Sequence, residues 1–150
     1  MAEIDGDVWT MPASRMKAKK PHTISLAPMA LRVVTASLAA HPGASQVFPG
    51  KGGAPMDPHS VTRALSRLAS SLGIEGATVH DLRRTVASEL GRLAVPESII
   101  SRILAHTQSG ITARVYNQHA YGAEKRRALR LWELRLINIV SGKKLHRLEY

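Results

Sequence analysis

HDLRRTVASELGRL, residues His80 to Leu93, carries two patterns at once. Its apolar residues Leu82, Val86, Leu90 and Leu93 recur at intervals of three and four, which lays them along one face of an α-helix and is expected to tie that helix to the core. Its start holds His80, Arg83 and Arg84, and helix positions three apart face the same side. His80 and Arg83 can therefore point together at one ligand. An arginine fork offers parallel N–H donors that match two phosphate oxygens, and an imidazole beside it can add a hydrogen bond or a proton. A helix N-terminus also favours anions. A plainer reading makes His80 an N-terminal cap and both arginines surface charge. The spacing alone leaves both open, with the helix starting at Thr78 or His80.

Outward from this helix, the rest of the chain reads as one domain. At 150 residues it is long enough for one core and short for two. Asp7 to Leu26 holds two β-leaning runs, VWTM and HTISL, around a basic centre, the pattern of a hairpin with a long basic loop. Pro28 to Ala40 places Met29, Leu31, Val34 and Leu38 on one side of a helix. HPGASQVFPGKGGAPMDP is a Gly- and Pro-rich loop with VF as a short apolar anchor. Ser60 to Leu72 repeats apolar residues at Val61, Leu65, Leu68 and Leu72 and ends at Gly73, so a second helix is expected. After a break at Ala94 and Val95, Pro96 starts a fourth helix, and Gly122 to Val140 forms a longer fifth. The fold expected is mainly α with a small antiparallel hairpin or sheet. Residues 1–140 form the domain and 141–150 a tail.

Charge and composition narrow the function classes. Lys and Arg number 21 against 11 Asp and Glu, a formal net charge of +10, so a polyanionic partner is the first to consider. There is no cysteine, which excludes a disulfide framework and thiolate chemistry and fits a reducing compartment. No apolar stretch is long enough to span a bilayer, and MAEIDGDVW lacks a basic-then-apolar signal. A soluble, cytoplasmic protein is expected.

A second cluster follows in ILAHTQSGITARVYNQH. His106 ends an apolar run, and Tyr116 comes after a short loop. A tyrosine hydroxyl can attack phosphorus when other groups stabilise the developing charge and the leaving oxygen. Two histidines, an arginine and a tyrosine would make such a set. A tyrosine between Val115 and Asn117 is also an ordinary packing residue.

Taken together, HDLRRT (His80 to Thr85), LAH (Leu104 to His106) and VYNQH (Val115 to His119) resemble the ordered signature of the tyrosine recombinases, in particular the phage and prophage integrases. The flanks are similar too: VFPG before the second helix, PESIISRILAH into the second histidine, EKRRALRLWELRL after the tyrosine, and the hairpin stretch SRMKAKKPHTISLAP. The likeness runs from about Glu3 to Leu136. It implies a catalytic-domain-like fold in which Tyr116 is the nucleophile that forms a 3′-phosphotyrosine and frees a 5′-hydroxyl. Arg83 matches one of two arginines on the non-bridging oxygens, His80 the acid-base or hydrogen-bonding histidine, and His106 the phosphate-binding histidine. Lys17 best matches the hairpin lysine that protonates the leaving oxygen, with Lys19 and Lys20 close enough to compete. The implied cofactor set is empty, neither ATP nor metal, because the ester conserves the energy. The implied partners are double-stranded DNA attachment sites and a homotetramer on DNA.

The departures also carry expectations. LAH has Ala105 where the family has Gly, which asks only for an ordinary helical residue. Tyr121 is a rival tyrosine placed in packing or partner contact, His22 is expected on the hairpin surface, and His119 has no assigned role. No Arg or Lys precedes Arg15. The family's first catalytic arginine thus has no counterpart here, and a chain truncated at its N-terminus, inactive or weak alone, is expected. The alternative is a noncatalytic prophage remnant or DNA-binding module that holds the duplex by phosphate contacts. A helix-turn-helix regulator is a third reading, which does not require the LAH and tyrosine spacing. The stretch after Leu136, ending GKKLHRLEY, is the segment that would exchange between subunits or remain a tail.

Overall fold

A computed structural model describes residues 3–106, 121–142 and 150. Among them are five α-helices, α1 (Pro28–Ala40), α2 (Ser60–Ser71), α3 (Val79–Arg92), α4 (Glu97–Ile103) and α5 (Gly122–Val140). A three-stranded antiparallel sheet of β1 (Ile4–Asp5), β2 (Val8–Met11) and β3 (His22–Ser25) runs in the order β1-β2-β3. The architecture is mainly α with a small sheet, as the sequence patterns predict. The expected hairpin is in register from Val8 opposite Ser25 to Met11 opposite His22. β1 is an addition: two residues carry no readable alternation, and Gly6, at φ +56°, makes the tight turn that folds them back on β2.

The chain divides into two compact units. The first contains the sheet, the start of α1, the end of α3, α4 and α5. Its core is Leu90, Leu93, Val95, Ile99, Ile103, Leu104 and Ala128, with Leu90 wholly enclosed. Three charged side chains are buried there too, Glu89, Lys125 and Glu133, and each is partnered, as burial of charge demands. Arg135 Nε donates to Glu89 at 2.7 Å, and Arg92 pairs with the same carboxylate. Glu133 accepts from the backbone N–H of Met29, so a carboxylate from α5 caps the first turn of α1, and Arg130 completes its neutralisation. Lys125 Nζ donates to Thr23 O at 2.6 Å, fastening α5 to β3.

The second unit, residues 32–88, holds the rest of α1, α2 and the first part of α3. Along α1 the expected positions Met29, Leu31, Val34 and Leu38 are the half-buried ones, joined by Ser37, whose hydroxyl donates to Val47 O at 2.6 Å. In the Gly-rich loop Gly50 N donates to Ala54 O, and a Cβ at Gly50 would stand 3.0 Å from Pro55 O, a close backbone approach that favours glycine. α2 and its stop at Gly73 are as read; along it Val61, Leu68 and Leu72 are exposed, while Ala69 is buried and Leu65 half-buried. Leu82 of α3 is likewise 54% exposed and does not tie that helix to the core. Periodicity fixes which residues share a face; what covers the face depends on elements it does not see.

Candidate functional site

The N-terminus of α3 is built by Thr78, not His80. The Asp81 carboxylate accepts from Thr78 N at 3.0 Å and Thr78 Oγ1 at 2.6 Å, and Thr78 Oγ1 accepts from Asp81 N at 3.3 Å. This reciprocal capping box sets the helix start and leaves His80 inside the first turn. The reading of His80 as cap is thereby removed. His80 and Arg83 are both exposed on this turn, and Arg84 is drawn 3.9 Å from Asp81. The hydrogen bonds from Thr78, side chain first, hold the Asp81 carboxyl below the ordinary aspartate range.

The basic loop between β2 and β3 begins with a 3-10 turn at Ala13–Arg15. Arg15 is tied to Glu3 at 2.6 Å, and that bond, ahead of one from Trp9, lowers the Glu3 pKa. Lys17, Lys19 and Lys20 follow, all exposed, with Lys19 in the left-handed region at φ +53°. Arg15 is thus committed to the sheet, and the three lysines form the loop's outward charge.

The LAH stretch is a helix ending, which corrects the reading of Ala105. Ala105 N donates to Arg102 O at 3.3 Å and His106 N to Ser101 O at 2.9 Å, the two bonds of a Schellman motif, with Ala105 at φ +52°. That left-handed position is one glycine favours; Ala105 is not an ordinary helical residue. The motif holds the His106 backbone directly beyond α4 and leaves the side chain exposed. α3 closes in the same way on Ala94, at φ +58°, with Val95 N bonded to Leu90 O.

Around this turn stand residues the sequence reading missed or misplaced. His22 is half-buried, its Nε2 3.2 Å from Ile103 O, and not a surface residue of the hairpin. Arg102 lies 3.9 Å over the ring of Tyr121, which adopts φ +45° at the start of α5. Tyr121 is therefore a packing residue, as expected. Strand alternation offers no signal for His22, since its partner is 81 positions away in sequence.

Lys17 and His106 belong to the first unit and His80 and Arg83 to the second. Tyr116 and His119 lie outside the described residues. In the expected tail, Tyr150 is described: its N–H donates to Leu93 O at 3.0 Å and its ring lies under Arg127, where burial raises the phenol pKa. Among the described residues no helix is long and apolar enough to cross a membrane.

The chain is similar to two prophage integrases of Escherichia coli (strain K12). It is 29% identical to IntA over 133 residues, covering 87% of this chain and 31% of IntA. With IntZ it is 29% identical over 134 residues, 89% of this chain and 33% of IntZ. The chain thus spans about a third of the length of these curated relatives. No solved structure matches it. The model of the phage integrase family matches residues 2–123, a span that contains the capped α3, the basic hairpin and the LAH turn, and the chain belongs to that family.

Proposed function

We propose that the chain is the strand-transfer part of a site-specific DNA integrase, working through a 3′-phosphotyrosine. The observation that carries this reading is the ordered set His80, Arg83, His106 and Tyr116 within a chain of the phage integrase family. The capping of α3 supports it by presenting His80 and Arg83 on one exposed first turn. In the reaction, the Tyr116 oxygen bonds to phosphorus as the bond to the 5′-oxygen breaks. Tyr116 gives up its phenolic proton to water, and the leaving oxygen takes one from Lys17. Arg83, His80 and His106 hold the charge that builds on the non-bridging oxygens. Attack by a partner strand's 5′-hydroxyl reverses the step, so the ester stores what resealing needs. The substrate is duplex DNA at attachment sites, and strand exchange between two sites calls for four copies.

The second reading is a module that grips duplex DNA without cutting it. It is favoured by one feature, the run of exposed lysines Lys17, Lys19 and Lys20 in a chain of net charge +10, which grips phosphates without any bond being made or broken. A nicked suicide duplex separates the two. An SDS-stable adduct that disappears in Tyr116→Phe establishes the transferase, and salt-sensitive retention with no adduct establishes the binder.

A further inference from the structure

His22 opens β3 and Thr23 follows it, and each fastens the strand to a different helix. The His22 ring reaches Ile103 O, one of the terminal carbonyls of α4 that have no amide of their own helix to accept from. Thr23 O accepts from Lys125 in the first turn of α5. Lys125 is only 5% exposed, and its burial, with Arg102 nearby, lowers its pKa. A lost partner is costly in such surroundings. Arg102 over Tyr121 joins the end of α4 to the start of α5 directly. The strand therefore meets both helices at consecutive residues.

What hangs from each side of the His22 contact gives it a role. On one side is the basic loop, which leaves β2 at Met11, the residue paired with His22, and carries Lys17 five residues before His22. On the other side, Ile103 stands three residues before His106, and the Schellman bonds fix the chain between them. The turn bearing His106 is thus held by its own helix, whereas the loop bearing Lys17 has exposed lysines and a left-handed residue at Lys19. One imidazole joins the strand that follows the loop to the helix end that precedes the turn.

We propose that His22 is a positioning residue whose Nε2–H to Ile103 O holds the Lys17 loop in register with the His106 turn. The proposal rests on the reading above, in which Lys17 protonates the leaving oxygen and His106 binds the same phosphate. His22 touches no reacting atom; it sets where Lys17 stands.

The test uses the full chain as His22→Phe, which keeps a ring and removes the donor, and His22→Gln, which restores an N–H donor. Single-turnover covalent attachment is measured on two nicked duplexes, one with the ordinary 5′-bridging oxygen and one with sulfur in its place. A thiolate leaves without a proton, so the sulfur duplex does not need Lys17. His22→Phe is expected to slow attachment at least about tenfold on oxygen and less than about threefold on sulfur, with His22→Gln near wild type on both. No loss on oxygen, or an equal loss on both duplexes, overturns the proposal. If the wild-type chain, expected to be weak alone, attaches to neither duplex, the transferase reading gains no support from these 150 residues, and amide hydrogen exchange decides the positioning separately. His22→Phe then speeds exchange at Lys17 to Lys20 and leaves the His106 amide protected, while His22→Gln changes neither. Unchanged loop exchange in His22→Phe overturns the proposal on its own.

Discussion

Arg135 places its Nε 2.7 Å from Oε2 of Glu89, a carboxylate in the last turn of α3 that the fold buries. α3 is the helix that carries His80 and Arg83 at its other end, so this pair anchors the element that presents them. Removing Arg135 leaves Glu89 with the exposed Arg92 alone. Arg135→Ala is expected to lower stability by about 3 kcal/mol, the low end for a broken buried pair because one arginine remains. The hydrogen bond from Arg135, then that from Arg92, holds the Glu89 carboxyl below its ordinary value of 4.5. A carboxyl held down in the folded state contributes its full stabilisation above its unfolded pKa and loses it as pH falls through the folded one. Urea denaturation at neutral pH and below pH 4.5 should therefore show a gap between wild type and Arg135→Ala that narrows in acid. A gap independent of pH would mean that packing, not charge, holds the pair.

Ala105→Gly should stabilise the protein. Alanine at φ +52° costs about 1–2 kcal/mol, and glycine relieves that strain while losing about 0.4–1 kcal/mol through the freer unfolded chain. The net gain expected is roughly 0.5–1 kcal/mol, or a Tm rise of about 1–4 °C for a chain of this size. Ala94→Gly, at the equivalent position after α3, should add a similar amount, the two sites making separate helix endings. Thermal melts of the two single variants and the double variant check this, and a fall in Tm for both singles would show that the left-handed assignment is wrong.

The same residue marks how far the sequence could be read. α1 and α5 begin and end where apolar spacing, Pro28 and Gly122 put them, because long amphipathic helices are specified locally. The hairpin was legible from two β-leaning runs. Ala105 was not, since only a comparison of backbone angles distinguishes the last helical residue from the left-handed one after it. His22 and Glu89 were illegible for another reason: their partners, Ile103 and Arg135, lie on other elements, and no spacing rule reaches them. His80 and Arg83 can be placed on one turn from their numbers alone, whereas the spacing does not choose between Thr78 and His80 as the start of that turn, which the bond between Thr78 and Asp81 decides.

That cap gives a third prediction. Thr78→Ala removes the hydroxyl that bonds Asp81 and is expected to cost about 1 kcal/mol, with the loss confined to the first turn of α3. Acid should act on the same turn. Thr78 holds the Asp81 pKa below 3.8, so the box is intact above that value and fails as pH drops through the lowered one. Protection of the Arg83 to Thr85 amides, taken relative to the intrinsic exchange rate at each pH, should fall in acid in wild type and be low at both pH values in Thr78→Ala. Equal protection in the two proteins near neutral pH would remove the box from the account of how α3 begins.

The last prediction concerns which lysine gives the proton. Lys17, Lys19 and Lys20 are exposed on one loop, so charge alone cannot rank them. Bond chemistry can. A lysine that protonates the leaving oxygen is needed for a 5′-bridging oxygen and dispensable for a bridging sulfur, whereas a lysine that only steadies DNA is needed equally for both. Lys17→Ala is expected to slow attachment by about a hundredfold on oxygen, within the span general acids supply, and to recover on sulfur. Lys19→Gly suits the left-handed backbone at that residue, so it should weaken attachment on both duplexes alike and mainly through DNA affinity. Arg83→Ala and His80→Ala lie on an exposed helical turn and should leave the fold intact, yet each should cost about a hundredfold or more on either duplex. In the proposed reaction they stabilise charge on the phosphate itself, which no choice of leaving group removes. Recovery of Lys20→Ala on sulfur, with Lys17→Ala unrescued, would move the acid three residues along the loop and leave the rest of the site unchanged.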